Sequence, residues 1–132
     1  MLPFRVDLVS RLPVSGQVVY AVKKAIITGQ LLPGDRFPSV RVLSQELRIN
    51  PNTAHKIVAT LIEDRILEVE PGIGTVVAEL PAREKGERGA LLGAEVEHLV
   101  VEAKRRRLEL DDLLEAVRRQ WRRLRKPGEE LK

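Results

Sequence analysis

The sequence predicts a mainly α-helical fold that contains one small β-hairpin. Apolar residues recur at helical spacing in three segments before residue 63 and in two segments after residue 90. Between these two groups, "ILEVE" alternates apolar and acidic residues, "PGIG" forms a turn signal, and "GTVVAEL" is rich in β-branched residues. A chain of 132 residues is long enough for one domain, or for a small domain with an extension.

Composition excludes several classes of protein. Cysteine is absent, which excludes a disulfide framework and a thiolate metal site. No apolar run approaches about 18 residues, so we predict neither a signal peptide nor a membrane span and expect a soluble cytoplasmic protein. The net charge of +4 hints at a polyanionic partner, but residues 1–80 hold 9 basic and 8 acidic residues. Charge alone therefore does not locate a nucleic-acid site.

The first helical pattern lies within "PVSGQVVYAVKKAIITG". Gly29 is predicted to end this helix, because glycine adopts the left-handed conformation that terminates helices. The following "LLPGDRFP" has two prolines and a Pro-Gly turn and is predicted to cross the surface as a loop. The apolar stripe of the helix and its exit consists of Val18, Val19, Val22, Ile26 and Leu31.

Two further helices follow at close spacing. Ser39 is a predicted N-cap of the second helix, and after a break at residues 48–49 Asn50 is a predicted N-cap of the third. Pro51 then occupies the first helical position, where its missing N–H is not needed. The predicted buried faces are Val40, Leu43 and Leu47 in the second helix and Ala54, Ile57, Val58, Leu61 and Ile62 in the third.

Two helices joined by about three residues form a helix-turn-helix unit, whose second helix commonly lies in the major groove of DNA. Any small helical domain contains such pairs, so the spacing alone leaves that alternative open. The predicted hairpin after the third helix completes a winged helix and favours the DNA-binding interpretation. The sequence thus predicts a winged helix-turn-helix domain at residues 1–80, with its core at residues 13–78.

The C-terminal part of the chain has a different composition. "PAREKGERG" lacks a helical apolar pattern, so residues 81–90 are predicted to be a linker before a helical segment at 91–132. The second helix of this segment is predicted to begin near Asp111 as its N-cap. One chain offers too little surface to bury both apolar stripes, so we expect a two-helix hairpin that pairs with a second copy. The predicted dimer interface is Leu92, Val96, Leu99, Val100, Leu113, Leu114, Val117 and Trp121.

The stretch from Pro13 to Ala78 resembles the GntR family of bacterial transcription regulators. The residues that carry the resemblance are "GDRFPSVRVLSQELRINPNTAHKIVATLIEDRILEVEPGIGTVV". The "INPNT" motif and the short helical tail are similar to the YtrA-type subgroup. It implies a homodimer that binds a double-stranded DNA operator near its own gene, usually as a repressor. It also implies DNA contacts by Arg41, Asn52, Thr53 and His55, and by the wing-tip glycines Gly72 and Gly74.

Three positions depart from the family pattern. Ile73 stands at a wing position that is often Arg, and Glu70 at one that is frequently basic, which argues against minor-groove reading by the wing. Arg48 replaces the glycine that is common in the turn, so a strained or shifted backbone is expected there.

Individual residues of the third helix suit more than one role. Asn52 can hydrogen-bond to an adenine edge or stabilise the first helical turn. Thr53 and Lys56 suit phosphate contacts, whereas His55 can contact a base or a phosphate, or simply be solvated. The full predicted DNA-binding set, centred on a recognition helix at 50–63, is Ser39, Arg41, Asn50, Asn52, Thr53, His55, Lys56, Gly72 and Gly74.

Other features give weaker signals. The basic runs at 104–107 and 118–126 are either solvated helix faces or extra phosphate contacts. Glu95, His98 and Glu102 share a helix face, but the missing soft ligands argue against a metal. No catalytic motif surrounds the serines, so no enzymatic activity and no cofactor are predicted.

The leading prediction is a homodimeric repressor that binds an inverted-repeat operator. The alternative is a dimeric winged-helix adaptor or architectural protein, which binds another protein or binds DNA without strong sequence preference. The sequence does not determine whether a small-molecule effector binds.

Overall fold

The computed structural model describes residues 1–9, 11–79 and 85–128. It divides into two compact units, one built mainly from Met1–Leu80 and the other mainly from Pro81–Arg125.

The N-terminal unit is a winged helix. Its elements are α1 (Val14–Ile27), α2 (Val40–Leu47), α3 (Pro51–Glu63), β1 (Leu67–Glu70) and β2 (Gly74–Val77). The two strands are antiparallel, with Leu67 opposite Val77 and Glu70 opposite Gly74. The predicted fold class, mainly helical with a small hairpin after a helix-turn-helix, is confirmed.

The core of this unit lies where the three helices meet the hairpin. Each helix contributes its apolar stripe, since residues three and four apart share one face. The largest fully buried side chains are Val18, Val22, Leu31, Leu43, Ile57, Leu61, Leu67, Val76 and Val77.

The helix ends follow the local rules expected from the sequence. The Ser39 side chain accepts a hydrogen bond from the Val42 N–H at 3.2 Å, and that of Asn50 accepts one from the Asn52 N–H at 2.8 Å. α1 ends at Ile27, two residues before Gly29, which adopts the left-handed backbone conformation with φ of 84°. All three predicted caps and stops are confirmed.

Part of the predicted surface loop "LLPGDRFP" pairs with β2 through its backbone. Arg36 pairs with Val76 in an isolated antiparallel bridge, and the Phe37 N–H donates to the Thr75 carbonyl at 2.8 Å. The segment thereby covers the outer edge of β2, whose backbone groups need partners. Proline and glycine signals predicted the turn correctly but gave no sign of this pairing.

The N-terminal residues are also anchored to this unit. The buried ring of Phe4 stacks on Phe37, with ring centroids 5.6 Å apart and an interplanar angle of 11°. The Gln17 side chain accepts from the Val9 N–H at 2.6 Å and donates to the Leu12 carbonyl at 2.9 Å. These contacts tie the segment before α1 to the core.

The described part of the C-terminal unit consists of helices and short connections. It contains α4 (Lys85–Ala90), a π-helical segment (Leu91–Glu95), α5 (Val96–Arg105) and α6 (Leu110–Arg123). Residues 85–90, which we expected in a linker, are therefore helical, while the rest of that stretch lies outside the described residues. No helix of the described chain is long and apolar enough to cross a membrane.

The predicted start of α6 was wrong by two residues. Glu109 is the N-cap, and it forms a reciprocal capping box with Asp112, whose carboxylate accepts from the Glu109 N–H at 2.9 Å. Asp111 lies in the first turn instead. The reciprocal pair satisfies two helix-end donors at once, which a single Asp111 cap would not do.

Candidate nucleic-acid interface

The outer face of α3 is polar and open to solvent. Asn52, His55, Lys56 and Ala59 are exposed and Thr53 is half-buried. The inner face of the same helix is packed in the core, with Ala54, Ile57, Val58 and Leu61 buried. The helix therefore presents hydrogen-bonding groups on a rigidly anchored support.

The structure separates the roles of the two asparagines at the start of α3. Asn50 performs the capping, through the hydrogen bond that its side chain accepts from the Asn52 N–H. Within the described residues the carboxamide of Asn52 has no hydrogen-bond partner, and the side chain is exposed. First-turn stabilisation is therefore already supplied by Asn50, which leaves the Asn52 amide available for a ligand.

Arg41 lies in the first turn of the neighbouring helix, α2. It occupies the second position of α2, two residues after the Ser39 cap, and its side chain is exposed. In the described part of the chain its guanidinium has no ion-pair partner. Ser39 is exposed too, and its side-chain oxygen acts only as an acceptor in the cap. Its hydroxyl hydrogen is therefore still available to donate a hydrogen bond to a ligand.

The turn between α2 and α3 is formed by a left-handed arginine. Arg48 has φ of 54° and ψ of 47°, and its N–H donates to the Gln45 carbonyl at 3.3 Å. The expected backbone strain at this non-glycine position is confirmed.

The wing bears no positive charge. Its tip is Pro71-Gly72-Ile73, and Gly72 and Gly74 have φ of 80° and 117°, where a side chain would be strained. Residues 66–79 contain three glutamates and no Lys, Arg or His. Val69 and Ile73 are exposed on it, at 64% and 46%. Such a surface repels phosphates rather than binding them.

The basic run at 104–107 is partly neutralised locally. Glu102 accepts from Arg105 at 3.1 Å and from Arg106 at 2.6 Å. These hydrogen bonds, that of Arg105 foremost, hold the pKa of Glu102 below its usual value. No group of three or more potential metal ligands comes together among the described residues.

The predicted dimer-interface residues are largely open to solvent. Val100 and Leu113 are half-buried, and the rest are exposed: Leu92, Val96, Leu99, Leu114, Val117 and Trp121. Leu110 was missed, although it is 68% exposed and begins the same stripe. The i, i+4, i+7 spacing from Leu110 to Leu114 and Val117 was a usable signal that the misplaced N-cap concealed.

Comparisons with known proteins agree with this architecture. Residues 14–77 match the family model described as bacterial regulatory proteins, gntR family. The HTH-type transcriptional repressor YtrA of Bacillus subtilis (strain 168) is 29% identical over 115 residues, covering 86% of this chain and 88% of that protein.

Two solved structures share the fold over almost the whole chain. The transcriptional antiterminator from Listeria monocytogenes EGD-e superposes with a TM-score of 0.79 at 19% identity, covering 92% of this chain and 91% of that one. YtrA from Sulfolobus acidocaldarius, a GntR-family transcription factor, has a TM-score of 0.52 at 24% identity, covering 90% and 97%. With the family match on residues 14–77, the N-terminal unit is a DNA-binding winged helix-turn-helix domain of the gntR family of bacterial regulatory proteins.

Proposed function

We propose that the protein is a homodimeric transcriptional repressor that binds an inverted-repeat operator through α3. In this proposal it acts in the cytoplasm on double-stranded DNA, and it performs no catalysis. The B. subtilis relative carries the name of a transcriptional repressor, which supports repression over activation.

The observation that carries the proposal is the free carboxamide of Asn52 on the exposed face of α3. A carboxamide donates and accepts in one plane, which matches the N6 and N7 groups of adenine. Arg41 and Lys56 supply charge nearby, which any phosphate attracts equally. We therefore assign sequence reading to Asn52, and to Arg41 and Lys56 the sequence-independent part of the affinity.

The inverted repeat follows from two-fold symmetry. Two copies related by a two-fold axis present the same recognition helix to opposite strands. Half-sites are then expected about one helical turn apart, roughly 34–36 Å centre to centre. The exposed apolar residues of α5 and α6, which the single chain leaves uncovered, support the pairing of two copies.

A second candidate function is a winged-helix adaptor that binds another protein. The acidic wing with exposed Val69 and Ile73 favours it, because the wing glutamates repel DNA phosphates. The outer face of α3 opposes it, since Asn52, His55 and Lys56 are more polar than protein-docking surfaces usually are.

A competition binding experiment tests the leading proposal. The duplex upstream of the protein's own gene is compared with a scrambled duplex of equal length, at two salt concentrations. Asn52→Ala should weaken operator binding by about 1–3 kcal/mol and leave the scrambled duplex nearly unchanged. Arg41→Ala should weaken both duplexes and reduce the salt slope by about one.

The outcomes separate the candidates. Equal loss on both duplexes in Asn52→Ala would make Asn52 a positioning residue and assign base reading to His55 or Ala59. No preference of the unmodified protein for any duplex, together with no salt dependence, would favour the adaptor.

A further inference from the structure

The last described residues of the chain belong to the N-terminal unit, although they follow the helical segment in sequence. α6 ends at Arg123, and from Lys126 onward the chain groups with Met1–Leu80. The helical segment therefore joins the N-terminal unit at both of its ends. We call residues 126–128 the strap.

The strap packs against Gly29, just after the end of α1. A Cβ atom placed on Gly29 would lie 3.3 Å from the Pro127 Cδ, 3.7 Å from the Lys126 Cγ and 3.9 Å from the Lys126 Cβ. These distances are those of van der Waals contact or closer. Lys126 is half-buried, whereas α6 buries none of its residues. The apolar stem of the lysine thus covers the glycine, as long charged side chains do on apolar surface.

The backbone beneath the strap is held in place by α1 and by the core. The Gly29 N–H donates to the Ile26 carbonyl at 3.3 Å, and the Leu31 N–H donates to the Ala25 carbonyl at 3.1 Å. Leu31 itself is only 1% exposed. Pro127 has a fixed φ and loses little conformational freedom when it is ordered. The strap therefore rests on a rigid support at a small entropic cost.

The left-handed backbone of Gly29 does not by itself explain this contact. Gly34 also has a left-handed backbone, with φ of 89° against 84° at Gly29. A Cβ atom placed on Gly34 would meet nothing within 4 Å. The close approach is thus specific to the position that the strap covers.

From this contact we infer that the strap anchors the C-terminal end of the helical segment to the winged helix. A segment that is held at two points samples fewer orientations than one held only through its N-terminal connection. In the homodimer, this restriction limits how the two winged helices move relative to each other and so preorganises them for an inverted repeat. The consequence for DNA rests on the proposed function, whereas the contact itself does not.

Disulfide formation tests the contact. The chain has no cysteine, so Gly29→Cys combined with Lys126→Cys creates a single pair of thiols. Their Cβ atoms would lie 3.9 Å apart, and a disulfide needs about 3.5–4.5 Å. The matched control combines Gly34→Cys with Lys126→Cys, because the new side chain at Gly34 has a similar φ and no neighbour within 4 Å.

Under mild oxidation, the Gly29 pair should form its disulfide faster than the Gly34 pair by about tenfold or more. The product is a band of monomer size on a non-reducing gel, which shifts when the disulfide is reduced. Both double variants carry the same kind of backbone strain, and circular dichroism confirms that each is folded. Equal rates in the two variants, or disulfides formed only between chains, would overturn the inference.

Hydrogen exchange gives a second measurement in which Gly29 is unchanged. Truncation after Arg125 removes the strap and should speed exchange of the Thr28 and Leu31 amides several-fold, because the end of α1 loses its cover. The Ala54 amide in α3 donates to a carbonyl at 3.0 Å and serves as the internal control that keeps its rate. Unchanged exchange at Thr28 and Leu31 in the truncated chain would overturn the inference.

DNA binding tests the anchoring role. Full and truncated chains are titrated with an inverted repeat and with a single half-site, at concentrations where sedimentation shows a dimer. Loss of the strap should weaken binding to the repeat several-fold and leave half-site binding unchanged, because only the repeat requires both winged helices at once. Equal affinity of the two chains for the repeat would overturn the anchoring role. A full-length chain that is monomeric at micromolar concentration would instead refute the homodimer proposal, so the two failures are distinguishable.

Discussion

Substitution of Arg48 by glycine should stabilise the N-terminal unit. Arg48 has φ of 54° in the turn between α2 and α3, in the left-handed region where the Cβ atom crowds the following carbonyl. The side chain is exposed and has no ion-pair partner among the described residues, so its removal breaks no such contact.

The expected gain follows from two opposing terms. Left-handed backbone costs an L-residue about 1–2 kcal/mol, and glycine removes that penalty. Glycine also loses more backbone entropy on folding, by about 0.5–1 kcal/mol. The free energy of unfolding should therefore rise by about 0.5–1 kcal/mol. In a domain of 60–100 residues this raises Tm by roughly 2–8 °C.

Thermal unfolding followed by circular dichroism measures this change, with Arg48→Ala as the matched control. Alanine removes the guanidinium but keeps the Cβ atom, so its Tm should stay close to that of the unmodified protein. A Tm of Arg48→Gly at or below that of Arg48→Ala would refute the reasoning. Equal increases in both variants would show that the charge, and not the backbone, was responsible.

Two further predictions concern α3 and the wing. Asn50→Ala should lower the free energy of unfolding by about 1 kcal/mol, because the Asn52 N–H loses the acceptor at 2.8 Å, whereas Asn50→Ser should retain most of it. Chemical denaturation compares the two, and an unchanged midpoint in Asn50→Ala would show that the cap is dispensable. Glu70→Lys should raise the affinity for every duplex and steepen the salt dependence, because it replaces a repulsive wing charge with an attractive one. Gel-shift titration against Glu70→Gln measures this, and unchanged affinity in both variants would place the wing away from the DNA.

Local rules determined most of the DNA-binding surface from the sequence. Helical periodicity identified both faces of α3, and the caps at Ser39 and Asn50 followed from residue type and position. The strained turn at Arg48 was predicted from the family resemblance instead, because the family commonly has glycine there and glycine adopts the left-handed region without strain. The helix faces and the caps depend on neighbours within about four residues, so the sequence pattern records them directly.

Contacts between distant residues were decided only by the tertiary structure. Nothing near Phe4 indicates that its ring stacks on Phe37, and nothing in "GDRFP" indicates that Arg36 pairs with Val76. The same is true of Asn52, whose carboxamide is identified as free only because the structure assigns the capping to Asn50. Pairings of this kind arise from packing between segments far apart in the chain, and hydrophobic periodicity describes which face of a segment is buried without naming the segment that covers it.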